Sequence, residues 1–82
     1  MNKRKFGEIR GKLFKSLVPG QRTLNDLAKR SGVNWKTTDR HITYLIGKGL
    51  VREVLSTPYV RIYELSDKGK AVARGPKERW KL

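Results

Sequence analysis

The sequence predicts a mostly α domain with a small β-hairpin, in the order helix, helix, helix, strand, strand, helix. Apolar residues recur at helical spacing through residues 5–48, and capping residues and glycines divide that region into three helices. Two runs rich in β-branched and aromatic residues follow, and another capped segment comes after them. The 82 residues suffice for one domain with a small core, but not for a deep substrate cavity.

The first predicted helix covers residues 5–18, and Pro19 with Gly20 ends it. Its apolar side chains share one face of the helix. We expect this face to be core, covering the two short helices that follow. A dimer contact is the alternative if the face exceeds what one domain can cover. The residues concerned are Phe6, Ile9, Leu13, Phe14 and Leu17.

The second predicted helix begins after Thr23, whose hydroxyl can accept a hydrogen bond from a free amide of the first turn. Asp26 lies three residues later, where its carboxylate can reach back to the cap. Gly32 ends the helix, because glycine adopts positive φ at little cost. The helix is too short to be stable without packing, and its apolar stripe consists of Leu24, Leu27 and Ala28.

The third predicted helix covers residues 34–48, with Asn34 as its cap and Gly49 at its end. Two helices joined by so tight a turn form a helix-turn-helix, in which the outward face of the second helix suits a DNA major groove. An ordinary surface helix also has a polar outer face. The inward residues are Thr38, Ile42, Leu45 and Ile46. The outward residues are Lys36, Thr37, Arg40, Tyr44 and Gly47.

A hairpin is predicted from strands at residues 50–55 and 59–65, since apolar and charged residues alternate there with one face toward the core. The tip of such a hairpin can approach the minor groove or the DNA backbone beside the third helix. Arg61 is the less favoured of its two arginines, because it shares strand parity with Tyr63 and Leu65, the expected core residues. The candidate contacts are Arg52, Thr57 and Arg61.

A last helix is predicted to begin at the cap residue Ser66 and to end at Gly75. The domain is therefore expected to cover residues 1–75, followed by a basic C-terminal tail at residues 76–82. The tail contains two large apolar residues that can dock on the first helix, pack against a second protomer or lie in solvent. These are Trp80 and Leu82.

The net charge points to an anionic partner. Lys and Arg number 20 against 7 acids, so the formal net charge is +13. A small domain needs a net charge of magnitude only ~2 to 8 to be soluble. The charge is concentrated in residues 1–22 and 66–82, so both termini are expected to contact phosphates, with Lys5 and Lys12 among the contacts. Nucleic acid is favoured over membrane, since no apolar run approaches the ~18 residues of a spanning helix. The alternative is that the terminal Lys and Arg residues serve only to keep the protein soluble.

The sequence offers little for catalysis or metal binding. It has no cysteine, which excludes disulfides and thiolate zinc sites, and its one histidine, His41, is expected to be a partly exposed structural residue. It has no glycine-rich phosphate loop and no recognisable Ser/His/Asp set. We therefore expect no enzymatic activity, no metal and no cofactor. The lack of cysteine and of a visible signal peptide favours the cytoplasm, at the nucleoid.

Three segments resemble the winged helix-turn-helix domain of prokaryotic transcription regulators. LNDLAKRSGVNWKTTDRHITYL is similar to the family's helix-turn-helix, GKGLVREV to its exit into the wing, and YELSDKGKAVA to the return from the wing into the last helix. Together these segments lie within residues 24–73, about three-fifths of the chain. Size, charge and the lack of cysteine resemble the small single-domain regulators of archaea and their viruses.

The resemblance implies binding of double-stranded DNA, with residues 34–48 in the major groove and a homodimer on two half-sites. The dimer would form through the N-terminal helix or the C-terminal segment. Trp35 departs from the pattern, since its ring can point to the core or to DNA. Asp39 is an acid among contact residues, expected to pair with Arg40 or Lys36 or to accept from a cytosine amine. The family's DNA-facing positions match Asn34, Trp35, Lys36, Thr37, Arg40 and Tyr44.

The expected function is that of a sequence-specific, DNA-binding transcription regulator. Arg40, Lys36 and Asn34 are expected to contact base edges, while the basic termini contact phosphates. The alternative is an architectural, chromatin-like protein that coats DNA without sequence preference, which the charge excess favours. A winged helix that binds RNA or another protein is a third interpretation.

Overall fold

The computed structural model describes residues 6–76 and residue 80, with side chains from residue 8 onward. Lys5 and Leu82 lie outside the described residues, as does the side chain of Phe6. The predicted fold class, mostly α with a β-hairpin, is confirmed. The elements are α1 Phe6–Leu17, β1 Arg22–Thr23, α2 Leu24–Ser31, α3 Trp35–Gly47, β2 Val51–Ser56, β3 Arg61–Leu65 and α4 Asp67–Arg74.

The helix caps are those the sequence predicts. The Thr23 hydroxyl accepts a hydrogen bond from the Asp26 amide at 3.1 Å, and the Asn34 side-chain oxygen accepts from the Thr37 amide at 2.8 Å. Gly32 closes α2 in the left-handed conformation, with φ of 74°. These caps hold α2 and α3 on either side of a tight turn, and the helix-turn-helix predicted from the sequence is therefore present.

The Asp26 carboxylate does not reach back to the cap, so that part of the prediction is wrong. It accepts hydrogen bonds from Arg22 at 3.1 Å and from Arg30 at 2.8 Å. These bonds, that of Arg30 first, lower the pKa of the Asp26 carboxyl below its usual value. Hydrogen bonds from two charged guanidinium groups stabilise a carboxylate more than one bond from a neutral amide does. Asp26 therefore pairs with the two arginines and not with the cap amide.

The sheet has three strands in the order β1-β3-β2, all antiparallel. The two predicted strands form β2 and β3. β1 was not predicted, because two residues are too few to show an alternation of apolar and polar side chains. β3 lies in the centre of the sheet and buries Tyr63 and Leu65 against the helices. The register of the hairpin, called the wing below, shifts between Glu53 and Leu55 of β2.

One core joins the helices to the base of the sheet. Ile46 was predicted to lie in this core, but the residue is 38% exposed, because it lies at the edge of the buried face of α3. His41 was predicted to be partly exposed, yet it is 5% exposed, because α1 packs over it. The buried apolar residues are Ile9, Leu13, Phe14, Leu17, Leu24, Leu27, Ile42, Leu45, Leu50, Val51, Tyr63 and Leu65.

Trp80 docks on the first helix, one of the three arrangements open from the sequence. Its ring meets that of Phe14 edge-on, with centroids 4.7 Å apart. Its indole N–H donates to the Val72 carbonyl in α4 at 3.1 Å. The ring thereby extends the core between α1 and α4. Its apolar surface packs against the core, and its N–H group has a hydrogen-bond acceptor.

The Leu50 carbonyl fixes the last helix to the start of the wing. It accepts a hydrogen bond from the Ser66 amide at 3.0 Å, and Gly69 of α4 packs directly on it. A Cβ at position 69 would collide with this carbonyl oxygen, which is backbone and cannot move aside as a side chain can. Glycine is therefore required here by space.

We expect Gly69→Ala to reduce the free energy of unfolding by about 1–3 kcal/mol, because α4 must shift off the Leu50 carbonyl. Gly11→Ala in α1 is the matched control, since a Cβ there would meet nothing within 4 Å and alanine favours a helix by about 0.5–1 kcal/mol. Urea denaturation of the two variants measures both effects. Equal free energies of unfolding would contradict the steric explanation.

Candidate nucleic-acid interface

The outward face of α3 is open and cationic. Lys36, Arg40, Thr43 and Gly47 are all exposed, and Thr43 was not predicted from the sequence. Within the described part of the chain, no acid pairs with Lys36 or Arg40. Two cations on consecutive turns are thus available to an anionic partner.

Asn34 and Thr37, two further predicted contacts, belong to the first turn of α3. The side-chain oxygen of Asn34 is used in capping, since it accepts from the Thr37 amide, while the residue itself is exposed. The Thr37 side chain is half-buried and faces the flank of α3 that lies beside α1. The first turn of α3 therefore offers polar groups on two sides.

On the flank of α3 that faces the wing, Arg61 forms an ion pair. Its guanidinium donates to the Asp39 carboxylate at 2.8 Å and lies 3.7 Å from that of Glu53. The hydrogen bond to Asp39 raises the pKa of Arg61. The predicted pairing of Asp39 with Arg40 or Lys36 is therefore wrong. Arg61 reaches Asp39 because strand parity directs it inward, with Tyr63.

Arg52 and Thr57, the other predicted wing contacts, lie farther out. Arg52 pairs with Glu64 on β3 at 3.0 Å, and its side chain remains 63% exposed. The Thr57 hydroxyl accepts from the amides of Tyr59 and Val60, so it shapes the turn at the wing tip. Tyr59, at that tip, is 91% exposed and was not among the predicted contacts.

A cleft of about 310 Å³ separates the wing tip from the start of α2 and α3. Trp35 lines this cleft together with Pro58 and Tyr59, and the residue is 55% exposed. The ring therefore does not lie in the core, which was one of the two orientations open from the sequence. Its contact with DNA remains a proposal.

On the flank of α3 that faces α1, Arg10 holds two aromatic side chains. Its Nε donates to Nδ1 of His41 at 3.2 Å, and its guanidinium carbon lies 3.5 Å from the centre of the Tyr44 ring. Tyr44, predicted to face DNA, is half-buried beneath this arginine. Lys12, two residues farther along α1, is exposed. Arg10 was not among the contacts predicted from the sequence. It lies three and four residues before Leu13 and Phe14, on the apolar side of the α1 helical wheel, and this spacing was the available signal.

Burial shifts the pKa values of two ring side chains. The pKa of His41 is lowered, first by burial and then by the charge of Arg10, so the neutral imidazole is favoured. Burial raises the pKa of Tyr63 to about 12. The Tyr63 hydroxyl finds no hydrogen-bond partner in the described structure.

Neither a metal cluster nor a membrane-spanning helix occurs among the described residues. They contain no group of three or more His, Cys, Asp or Glu side chains able to hold a metal ion. None of their helices combines the length and the apolar character needed to cross a membrane.

Solved structures similar to this chain have the winged helix-turn-helix fold. A MarR family transcriptional regulator from Silicibacter pomeroyi is 27% identical, with a TM-score of 0.67 over 85% of this chain and 49% of its own. A homodimeric DNA-binding domain from Mycobacterium bovis, of a possible ArsR-family regulator, is 22% identical, with a TM-score of 0.67 over 77% and 57%. The Zα domain of Carassius auratus PKZ, solved in complex with Z-DNA, is 21% identical, with a TM-score of 0.66 over 74% and 97%.

These similarities confirm the winged helix-turn-helix fold expected from the sequence. The chain spans about half the length of the MarR family regulators that it matches. No protein-family profile and no curated protein matches the sequence. The chain is therefore similar to these transcription regulators in fold.

We expect the Arg61–Asp39 pair to couple the wing to α3 by about 0.5–1 kcal/mol in a double-mutant cycle of Asp39→Asn and Arg61→Gln. The same cycle on Arg52 and Glu64 is the control, since that pair joins only the two strands of the wing and Arg52 is more exposed. Urea denaturation gives both coupling energies. A coupling energy of zero between Arg61 and Asp39 would show that this pair does not hold the wing to α3.

We expect the stability of the protein to fall as the pH is lowered below about 6.5, the ordinary pKa of histidine. The pKa of His41 is lower in the folded state, so the unfolded chain binds more protons in this range and the free energy of unfolding decreases. His41→Asn keeps a hydrogen-bond acceptor for Arg10 but does not titrate. Urea denaturation between pH 5 and 8 should therefore show that the free energy of unfolding falls more steeply with decreasing pH in the parent than in the variant. Parallel pH profiles of the two proteins would refute this.

Proposed function

We propose that the chain is a sequence-specific, double-stranded DNA-binding domain of a transcription regulator, in which α3 enters the major groove. The observation that carries the proposal is the open outward face of α3, where Lys36 and Arg40 are exposed and lack an acidic partner among the described residues. A winged helix-turn-helix presents this helix as a projecting ridge. The regulators similar in structure use the same fold.

The rest of the basic surface is assigned to the DNA backbone. A formal net charge of +13 on 82 residues provides a strong field for a polyanion. In this proposal Lys12 and Lys5 contact phosphates beside α3, while Arg52 and the wing tip contact the backbone or the minor groove on the other side. Arg61 contributes by holding the wing against Asp39.

The proposed assembly is a homodimer acting at the nucleoid, in the cytoplasm. The similar domain from Mycobacterium bovis is homodimeric, and two copies would place two α3 helices on successive half-sites. The proposed contact between protomers uses the N-terminal helix or the C-terminal segment.

The charge excess favours one other candidate function, that of an architectural protein that coats DNA without sequence preference. Selection of bound duplexes from a random pool, at physiological salt, distinguishes the two. A regulator should enrich a defined motif and bind it at least about 10³-fold more tightly than unrelated duplexes. Equal affinity for every duplex would support the architectural protein.

We expect Lys36→Ala together with Arg40→Ala to weaken duplex binding by about 30-fold or more, because each of the two lost contacts from α3 costs about 1–3 kcal/mol. Lys29→Ala together with Lys70→Ala removes the same charge from exposed positions on α2 and α4, and it is expected to weaken binding less than the α3 double variant, because it removes at most phosphate contacts. Fluorescence anisotropy with a labelled duplex measures the affinities. Unchanged binding by the α3 double variant would contradict the proposal and favour an RNA or protein partner.

A further inference from the structure

A second recess lies on the side of α3 away from the wing. It is a groove of about 370 Å³ between α1 and α3, lined by Arg10, Thr37, Arg40 and His41. Arg10 enters it from α1, and the other three side chains come from consecutive turns of α3. The groove thus adjoins the outward face of α3 proposed to contact DNA.

The groove has the chemistry of an anion site. The described residues that line it supply two guanidinium groups, one hydroxyl and one imidazole, and none of these residues carries a carboxylate. Arginine binds phosphate oxygens through several N–H donors in a fixed plane, and its charged hydrogen bonds are among the stronger ones in proteins. Arg10 is oriented in advance by His41 and Tyr44, so little side-chain entropy remains to be lost on binding.

We propose that this groove binds one phosphate of the DNA backbone, with Arg10 and Arg40 as charged ligands and Thr37 as a neutral donor. The inference rests on the proposed function and refines it. It assigns Arg40 to a phosphate, whereas the sequence alone placed Arg40 on a base edge. It also gives Arg10 a binding role that was not predicted from the sequence.

His41 provides an internal reporter of the groove. It is the one histidine of the chain, so its ring proton gives a single assignable NMR signal. Within the described structure, the charged side chains that line the groove with it are Arg10 on α1 and Arg40 on α3. An anion beside them would stabilise the protonated imidazole and raise the pKa of His41.

The first experiment titrates the full chain with sulfate, a phosphate mimic that keeps its charge between pH 5 and 8. The pKa of His41 is measured by NMR in sulfate and in chloride at equal ionic strength. The expected result is a saturable rise of the His41 pKa in sulfate. Arg40→Gln should weaken sulfate binding at least about tenfold, because a charged ligand is lost. Lys70→Gln, an equal loss of charge on α4, should leave it unchanged.

Two results of this titration would overturn the groove as an anion site. One is a His41 pKa that is the same in sulfate and in chloride. The other is an equal loss of sulfate affinity in Arg40→Gln and Lys70→Gln, since general screening would then explain the effect. Both variants change exposed side chains, and circular dichroism checks that each remains folded.

The second experiment separates this inference from the proposed function. If Arg40 holds a phosphate, Arg40→Gln should weaken binding to all duplexes alike and should reduce the slope of log K against log salt by about one. Loss of preference at a single base pair would instead place Arg40 on a base edge and overturn the phosphate assignment, with DNA binding intact. Sulfate binding in a parent protein that binds no duplex would refute the DNA assignment of the groove together with the proposed function.

Discussion

The packing of β3 against the helices is the contact on which the rest of the structure depends. Tyr63 and Leu65 are buried there, and β3 is the central strand, paired with β1 on one side and β2 on the other. Burial of apolar and aromatic surface is the main favourable contribution to the folding free energy of a domain of this size. Because β3 carries the wing and packs on the core, it fixes the position of the wing relative to α3.

Two inward-facing arginines then hold the flanks of α3. Arg10 binds it from α1 through His41 and Tyr44, and Arg61 binds it from the wing through Asp39. In a chain with so few acids, the position of each carboxylate decides which cations are held in the fold and which stay available. Within the described residues, the acids that pair with arginines are Asp26, Asp39, Glu53 and Glu64.

Local signals made most of the fold predictable. Thr23, Asn34 and Ser66 cap their helices as expected, because the cap interaction involves neighbouring residues and needs no tertiary partner. The short β1 was not predicted, since its existence depends on pairing with β3. Ile46 was misplaced for a similar reason, because helical period gives the faces of α3 but not which flank another element will cover.

The sequence by itself determined the helix boundaries, the hairpin and the basic character of the chain, since these depend on residues close together or on simple composition. It also placed Lys36 and Arg40 on an outward face, which the structure leaves open. Only the tertiary structure decided the partners of the other candidate side chains. Arg61 reaches Asp39, Arg10 reaches His41, and the Tyr44 ring lies under Arg10, because contacts between residues some 20 to 35 positions apart exist only once the elements have packed.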